Sequence, residues 1–316
     1  MIKLSFLTLM RIAALMVACV LLGCGGASST VDPLVPTRVI AFGDAYSDVF
    51  QATGAGEITV QTGDTDNTLA GRIAAKYGFV LNGTTTSGGY SYADGTLGNG
   101  KVGNVATQIT TYLGNVGNSI GAKDLIIITV GSQDIYDIVV NNSSSISAAT
   151  TTLTSQIQRL TNAGAKYVLV VLPINMARTP WGLSGVNATS ETIRAMSYDT
   201  GTQCLSFSCQ LSTKLNTAYP ATSSHQPILL VDLMAYSNLF TGTTTTGSAN
   251  TYLNYGVTNP NSAACTAGAT SGCTADQANA NYATYVFADL LNLTPFANRL
   301  LADYIYNYNF YRAGWR

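Results

Sequence analysis

Val39-Ile40-Ala41-Phe42-Gly43-Asp44-Ala45-Tyr46-Ser47-Asp48 is an apolar run that ends in a tight turn. Four apolar residues before a glycine predict a buried strand of a parallel sheet, because such strands are covered on both faces. Open α/β sheets carry their chemistry at the carboxyl ends of these strands, so position 45 is a candidate functional position. An alanine stands there, and its methyl group cannot attack a carbonyl carbon.

Further strands and helices alternate along the chain. Continuous apolar runs predict strands, and apolar residues spaced by three and four predict helices. The predicted strands cover 38–42, 79–81 (a weaker one), 125–130, 167–172 and 228–231, and the predicted helices cover 68–76, 146–160 and 295–308. The strands at 125–130, 167–172 and 228–231 are expected to be buried on both faces. This alternation predicts a three-layer αβα sandwich with a mostly parallel sheet.

Length and composition limit the classes of function. The chain has 316 residues, of which 47% are hydrophobic and 10% charged, with a formal net charge of -1. A single α/β domain of this length is ordinary. The charge gives no electrostatic basis for binding nucleic acid, so no nucleic-acid partner is expected.

The N-terminal segment has the layout of an export signal. Lys3 and Arg11 precede an apolar run, 12–22, that is too short to span a bilayer. The run ends in Leu-Leu-Gly-Cys24, which resembles a bacterial lipobox. That resemblance implies a signal peptide at 1–23 and lipidation of Cys24, which would attach the protein to the membrane. Gly25 rather than aspartate follows, which favours the outer membrane; the alternative is an ordinary signal with an incidental cysteine.

Three further regions follow from composition and spacing. A polar, proline-containing stretch at 24–36 predicts a flexible tether, and 37–316 is then a single domain. Two stretches, at about 174–209 and 237–288, are too long for simple connections. Both begin at carboxyl ends of predicted strands, so we expect them to lie over the functional edge of the sheet and to carry Trp181, Tyr252 and Tyr255. The alternative is that they are insertions without a function.

Four cysteines remain for the domain once Cys19 is removed with the signal and Cys24 is lipidated. They form two close pairs, Cys204 with Cys209 and Cys265 with Cys273, which in an exported protein predict two local disulfides. Three pairings are formally open. A metal site is disfavoured because the chain contains one histidine and no Cys-x-x-Cys motif, and no cofactor is expected.

Several blocks, in order along the chain, resemble the GDSL/SGNH esterase and lipase family. Residues 43–48 resemble its first block, Gly-Asp-Ser-x-Ser-Asp, and 91–95 resemble its second, Asn-Tyr-Ala-x-Gly. Residues 131–134 resemble the third block, Gly-x-Asn-Asp, and 289–294 resemble the last, Asp-x-x-His-Pro-Thr. The segments 164–173, 178–180 and 254–259 resemble the lecithinase/haemolysin branch. The resemblance implies the flavodoxin-like αβα sandwich of that family.

The resemblance also assigns roles to five positions. It puts the nucleophile at Ala45, oxyanion donors at the Gly95 N–H and at Gln133, and the acid–base pair at Asp289 and Asn292. Glutamine instead of asparagine at 133 moves the amide by about 1.5 Å, although an oxyanion donor must lie about 2.7–3.1 Å from its target. Asparagine at 292 has no titratable nitrogen that could accept a proton. No intact triad is therefore expected.

We therefore expect a lipid-anchored protein of the bacterial envelope that binds an acyl or glycan ligand, or a partner protein, without catalysis. The alternative is a weakly active or unconventional esterase acting on lipids or acylated glycans. Ser47 with His225 is one possible displaced pair, but His225 precedes the strand 228–231 and so belongs to the opposite edge of the sheet. A second mechanism for such an esterase is attack by a water molecule that Asp289 activates directly, but nothing in the sequence supplies the acid that this mechanism also needs.

Overall fold

A computed structural model describes residues 33–49, 59–64, 66–83, 88–95, 100–142, 144–199, 203–220, 226–241, 251–266 and 273–316. The chain divides into two compact units, Met1–Pro33 and Leu34–Arg316, and the second is described below. The predicted signal peptide, Cys24, most of the tether and His225 lie outside the described residues. Among the helices that are described, none is both long and apolar enough to cross a bilayer.

A parallel sheet of five strands forms the centre of the second unit. The nine described strands are β1 Arg38–Gly43, β2 Val60–Gln61, β3 Gly89–Ser91, β4 Asp124–Thr129, β5 Tyr167–Val171, β6 Ile228–Val231, β7 Asn259–Ala263, β8 Cys273–Thr274 and β9 Tyr285–Phe287. The central sheet has the order β3-β1-β4-β5-β6, with every neighbouring pair parallel. Counted among these five strands alone, this is the flavodoxin-like order 2-1-3-4-5.

Helices cover both faces of the sheet. The described α-helices are Leu69–Ala75, Val102–Asn115, Ser132–Asn141, Ile146–Asn162, Pro180–Ser184, Ser190–Ser197, Phe207–Ala218, Met234–Phe240, Pro295–Tyr304 and Tyr311–Ala313. The helices 102–115, 146–162 and 207–218 pack side by side, and 69–75 packs against 295–304. The chain moves from β1 to β3 in one direction along the sheet and from β3 to β6 in the other, so right-handed crossovers place the two groups on opposite faces. The predicted three-layer αβα sandwich is confirmed.

The strand predictions hold in the centre of the sheet and fail at its edges. All of β4 is buried, as predicted. β6 has the predicted bounds, but it is an edge strand in which only Val231 is buried, so the prediction that both its faces are covered was wrong. The predicted strand at 79–81 is also wrong: this segment reaches the sheet only through an isolated bridge between Asn82 and Tyr90, beside the unpredicted strand β3.

The closing helix begins where the sequence predicts. Thr294 Oγ1 accepts a hydrogen bond from the Ala297 N–H at 3.2 Å, and Pro295 occupies the first turn. Such an N-cap contributes about 1 kcal/mol to stability, and proline at this position gives up no helical hydrogen bond. The α-helix ends at Tyr304 and continues as a π-helix, Ile305–Phe310, which the predicted range 295–308 did not distinguish.

The two long stretches contain short elements and both disulfides. Cys204 is bonded to Cys209 and Cys265 to Cys273, as predicted. In the second stretch β8 pairs with β2, and β7 pairs with β9. These small sheets enclose a minor core, which consists of Val60, Ala264, Cys265, Cys273 and Ala288.

Candidate functional site

The turn after β1 depends on a glycine. Gly43 has a φ of +127°, and a β-carbon there would collide with the carbonyl oxygen of Thr129 on β4. Glycine therefore allows the two strands to end in close contact, and the Asp44 N–H donates to that same carbonyl oxygen at 3.0 Å. Ala45 follows and is 3% exposed. The turn lies between β1 and β4, where the strand order reverses and where sheets of this type bind their ligands.

The Asp44 carboxylate ties this turn to the next element. Its oxygens accept hydrogen bonds from the Tyr46 N–H at 3.1 Å, Thr129 Oγ1 at 2.9 Å and Ser132 Oγ at 2.5 Å. Burial raises the pKa of Asp44, although these hydrogen bonds oppose the increase. Ser47 is fully buried, with its Oγ 2.8 Å from Thr129 Oγ1. The polar side chains of the turn thus fasten β1 to β4 and to the helix Ser132–Asn141.

The Gly95 N–H already has an acceptor. It donates to Asp48 Oδ2 at 2.8 Å, and the Gly95 carbonyl accepts a hydrogen bond from Gln133 Nε2 at 2.9 Å. The resemblance to the family implies that this N–H is available to an oxyanion. In the structure it is instead bound to the carboxyl group of Asp48, which is 2% exposed.

Gln133 joins Gly95 to Gly100. While its Nε2 binds the Gly95 carbonyl, its Oε1 accepts a hydrogen bond from the Gly100 N–H at 2.8 Å. Gly100 lies directly on the turn after β1, since a β-carbon there would be 2.6 Å from the β-carbon of Asp44. The same β-carbon would be 2.8 Å from Gln133 Nε2. The structure therefore brings Gln133, Gly95 and the turn that contains Ala45 into one packed group.

Asp134, beside Gln133, caps a neighbouring helix. Its two carboxylate oxygens each lie 3.2 Å from the Val102 nitrogen, at the start of the helix 102–115. Burial and, to a smaller extent, the nearby Asp44 carboxylate raise the pKa of Asp134, while the Val102 N–H and Lys101 lower it; the net result is a pKa of about 7. Lys101 forms an ion pair with Asp137 at 3.0 Å.

Asp289 and Asn292 are hydrogen-bonded to each other. Asp289 Oδ1 accepts from the Leu291 N–H at 2.8 Å and from the Asn292 N–H at 2.7 Å, and Asn292 Nδ2 donates to Asp289 Oδ2 at 2.9 Å. Asp289 is 1% exposed and Asn292 is 8% exposed. The side-chain amide of Asn292 thus supplies the donor that an imidazole would direct at the carboxylate, and it offers no basic nitrogen.

Tyr46 is close enough to both Asp44 and Asp289 for each to affect its pKa. Burial raises its pKa, and the carboxylates of both Asp44 and Asp289 raise it further, which places both acids within electrostatic range of this one side chain. The first long stretch also reaches the neighbourhood of Asp289, because the backbone N–H of Trp181 donates to the Leu290 carbonyl at 3.0 Å. Tyr252 and Tyr255 lie in a short 3₁₀ helix, 251–255, and Tyr255 packs edge-on to Tyr236.

Several contributors had no role assigned from the sequence. Asp48 belongs to the first block, but only the folded chain shows that it binds Gly95; likewise Gly100 belongs to no block and packs on Asp44. Thr129 is the last residue of β4, and Ser132 lies within the third block just after that strand; their place at the carboxyl end of β4 was the signal that they approach the β1 turn. Within the described part of the chain, no group of three or more histidine, cysteine or acidic residues could hold a metal ion.

A sequence-family model matches this chain, and two solved structures are similar to it. The sequence model of the GDSL-like lipase/acylhydrolase family matches residues 39–305, which is most of the chain. No curated protein sequence matches. One similar solved structure is a member of the lipolytic protein G-D-S-L family from Veillonella parvula, with 12% identity, a TM-score of 0.44, and coverage of 86% of this chain and 97% of that one. Another is the acetyl xylan esterase AlAXEase, with 13% identity, a TM-score of 0.45, and coverage of 85% and 98%. On the strength of the family match, this chain belongs to the GDSL-like lipase/acylhydrolase family.

Proposed function

We propose that this chain is a non-catalytic member of its family, a binding or partner protein of the bacterial cell envelope. The observation that carries the proposal is the hydrogen-bonded pair of Asp289 and Asn292. A serine esterase needs a base that removes the proton of its nucleophile and returns it to the leaving group. The Asn292 amide can do neither, and Ala45 offers no proton to remove.

The groups that the family resemblance assigns as oxyanion donors are already hydrogen-bonded within the protein, which supports the same proposal. The Gly95 N–H binds Asp48, and Gln133 holds Gly95 and Gly100 together. An oxyanion would have to displace these buried bonds, whereas efficient catalysis needs donors that are already directed at the developing charge.

A ligand in this region has something to bind. The Tyr46 hydroxyl is buried and has no hydrogen-bond partner among the described residues. An unsatisfied buried polar group costs about 1–3 kcal/mol, which a polar group of a ligand would recover. We propose an acyl or glycan ligand, held beside the methyl group of Ala45, and a lipid at Cys24 that keeps the protein at the outer membrane.

Ester hydrolysis tests the proposal. With p-nitrophenyl acetate and butyrate, wild-type protein should not exceed the rate in buffer, and Ala45→Ser alone should add almost nothing because a nucleophile and its base act as a unit. The variant Ala45→Ser/Gln133→Asn/Asn292→His rebuilds the three polar groups and should show turnover if the backbone keeps the family geometry. Turnover by the wild type would refute the proposal and favour the unconventional esterase; its loss in Ser47→Ala would then identify the displaced serine.

Binding is tested separately by thermal unfolding. A ligand at 100 times its dissociation constant stabilises the folded state by about 2.7 kcal/mol, which shifts the melting temperature measurably. Fatty-acyl esters, acylated sugars and envelope glycans are the compounds to compare. If none of them shifts the transition, the region around Ala45 is not a ligand site and the function is that of a partner protein.

A further inference from the structure

A second concave site lies at the carboxyl edge of the central sheet, away from the turn at Ala45. It has a volume of about 380 Å³ and opens between the ends of β5 and β6 and the helix 207–218. We call it the β5–β6 cleft; the lining residues used below are Leu172, Tyr198, Asp199, Ser212, Leu230 and Asp232. Neighbouring strands are about 4.8 Å apart, so β5 lies about 10 Å from β1, with β4 between them.

The floor of the β5–β6 cleft is apolar. Leu172, which follows β5, is 2% exposed, and Leu230 belongs to the half-buried edge strand β6. An edge strand leaves room beside the sheet, and the helix 207–218 closes only one side of that space. Ligand sites typically combine such an apolar floor with a few polar groups.

The charge of the β5–β6 cleft has one sign. Asp199 and Asp232 line it, and no lysine or arginine does. Asp199 Oδ2 accepts a hydrogen bond from the Leu205 N–H at 2.8 Å. Asp199 also contributes to raising the pKa of Arg194, which forms an ion pair with Glu191. A positively charged group of a ligand in the cleft would be attracted by the Asp232 carboxylate.

Asp232 is the better placed of the two carboxylates. Its Oδ1 accepts from the Met234 N–H at 2.8 Å, which fixes the side chain at the end of β6. Among the described residues, no basic side chain forms an ion pair with it. One carboxylate oxygen therefore remains for a donor from a ligand.

Two hydroxyl groups complete the set of polar groups. Neither Tyr198 nor Ser212 makes a side-chain hydrogen bond within the part of the chain that the structure describes. The neighbouring Ser208 differs, since its Oγ donates to the Ser197 carbonyl at 2.8 Å and is not available.

We propose that the β5–β6 cleft binds a compact organic cation, a primary ammonium group on a short apolar body. The ammonium group pairs with Asp232, the hydroxyls of Tyr198 and Ser212 bind polar substituents, and the apolar body lies on Leu172 and Leu230. The site uses none of the residues at positions 45, 133, 289 or 292, so it does not depend on whether the family site is catalytic.

Binding of n-butylammonium chloride, measured by saturation-transfer NMR at millimolar concentrations, tests the proposal. The neutral isostere n-butanol measures what the apolar floor contributes alone. Asp232→Asn removes the charge but keeps an oxygen that accepts the Met234 N–H, so the strand end stays folded. Asp276→Asn, at an exposed aspartate outside the cleft, is the matched control.

We expect n-butylammonium to bind the wild type and Asp276→Asn equally, and Asp232→Asn about fivefold more weakly or worse. We expect n-butanol to bind more weakly than the cation and to be insensitive to Asp232→Asn. Equal affinity of the cation for the wild type and Asp232→Asn, equal binding of n-butanol and the cation, or no saturation transfer to either compound would overturn the proposal.

Discussion

At position 292 an asparagine reproduces half of what a histidine would do. Its Nδ2 donates to Asp289 Oδ2 at 2.9 Å, as an imidazole Nδ1–H would. The buried carboxylate is therefore satisfied, and the local fold does not need a histidine. We propose that what this position lacks is the family's base, since asparagine has no counterpart of the second ring nitrogen. The identity of this residue could be read from the sequence, but the hydrogen bond that lets the fold tolerate it could not.

A second residue whose behaviour the sequence does not reveal is Asp134. The family block contains it, but only packing shows that it is 7% exposed and lies beside Asp44, Lys101 and the Val102 N–H. Its pKa, raised from 3.8 to about 7, means that the folded state binds a proton more tightly than the unfolded state does. Stability therefore decreases as the pH rises from about 4 to about 7 and does not change further on account of this group.

We predict that Asp134→Asn removes this part of the pH dependence, because an asparagine oxygen still accepts the Val102 N–H and does not titrate. In the wild type this group changes the free energy of unfolding by at most about 4 kcal/mol between pH 4 and pH 7. Urea unfolding of wild type and variant at pH 4.5 and at pH 7.5 measures the effect: the difference between their free energies of unfolding should change from one pH to the other. Asp276→Asn should follow the wild type; if Asp134→Asn does so too, Asp134 does not have a raised pKa.

At the scale of elements, the central strands were predictable and their margins were not. β4 and β5 could be predicted because both faces of these strands are buried, so that their central residues form continuous apolar runs. β3 has only three residues, Gly-Tyr-Ser, and contains no such run. The apolar residues of 79–81 gave the pattern of a strand, but they form none; the isolated bridge to Tyr90 is made by the next residue, Asn82. The approach of Gly100 to Gly95 could not be predicted either, since the Gln133 amide that binds both residues comes from a distant block.

The contact between Gly100 and the β1 turn gives a prediction with a matched control. Gly100→Ala should destabilise the fold or displace the turn, because its β-carbon would lie 2.6 Å from that of Asp44. Gly103, three residues later on the exposed face of the helix 102–115, has nothing within 4 Å of such a carbon. Gly103→Ala should therefore stabilise the protein by up to about 1 kcal/mol through helix propensity.

Urea unfolding of the two variants measures the difference between these glycines. Similar midpoints for Gly100→Ala and the wild type would show that Gly100 is not packed against Asp44. The amide spectrum of the β1 turn should shift in Gly100→Ala and stay unchanged in Gly103→Ala.

At the scale of the whole molecule, the sequence identified the fold family and the αβα sandwich, because several blocks recur in order and each marks a strand end. It located the two long stretches but not their structure, which depends on pairings such as β7 with β9 that no local pattern announces. Both disulfides follow from the short spacing of their cysteines together with the predicted export of the chain. The predicted attachment to the membrane rests only on the resemblance of residues 21–24 to a lipobox.

We predict that Cys24 carries that attachment. Metabolic labelling with a radioactive fatty acid should mark the wild type and leave Cys24→Ser unlabelled, because the lipobox resemblance implies that the thiol of this cysteine carries the diacylated group and serine has no thiol. Two or more acyl chains are needed for stable anchoring, so the variant should also move from the membrane to the soluble fraction. Equal labelling of both proteins would contradict lipidation at this residue.

Reaction with a fluorophosphonate probe tests most directly whether the family site can act as a nucleophile. These probes bond covalently to a serine that an adjacent base activates. Intact-protein mass spectrometry of the wild type should show no added probe, while Ala45→Ser/Gln133→Asn/Asn292→His gives the positive comparison. Stoichiometric addition to the wild type, mapped to any serine near Ala45, would contradict a non-catalytic site.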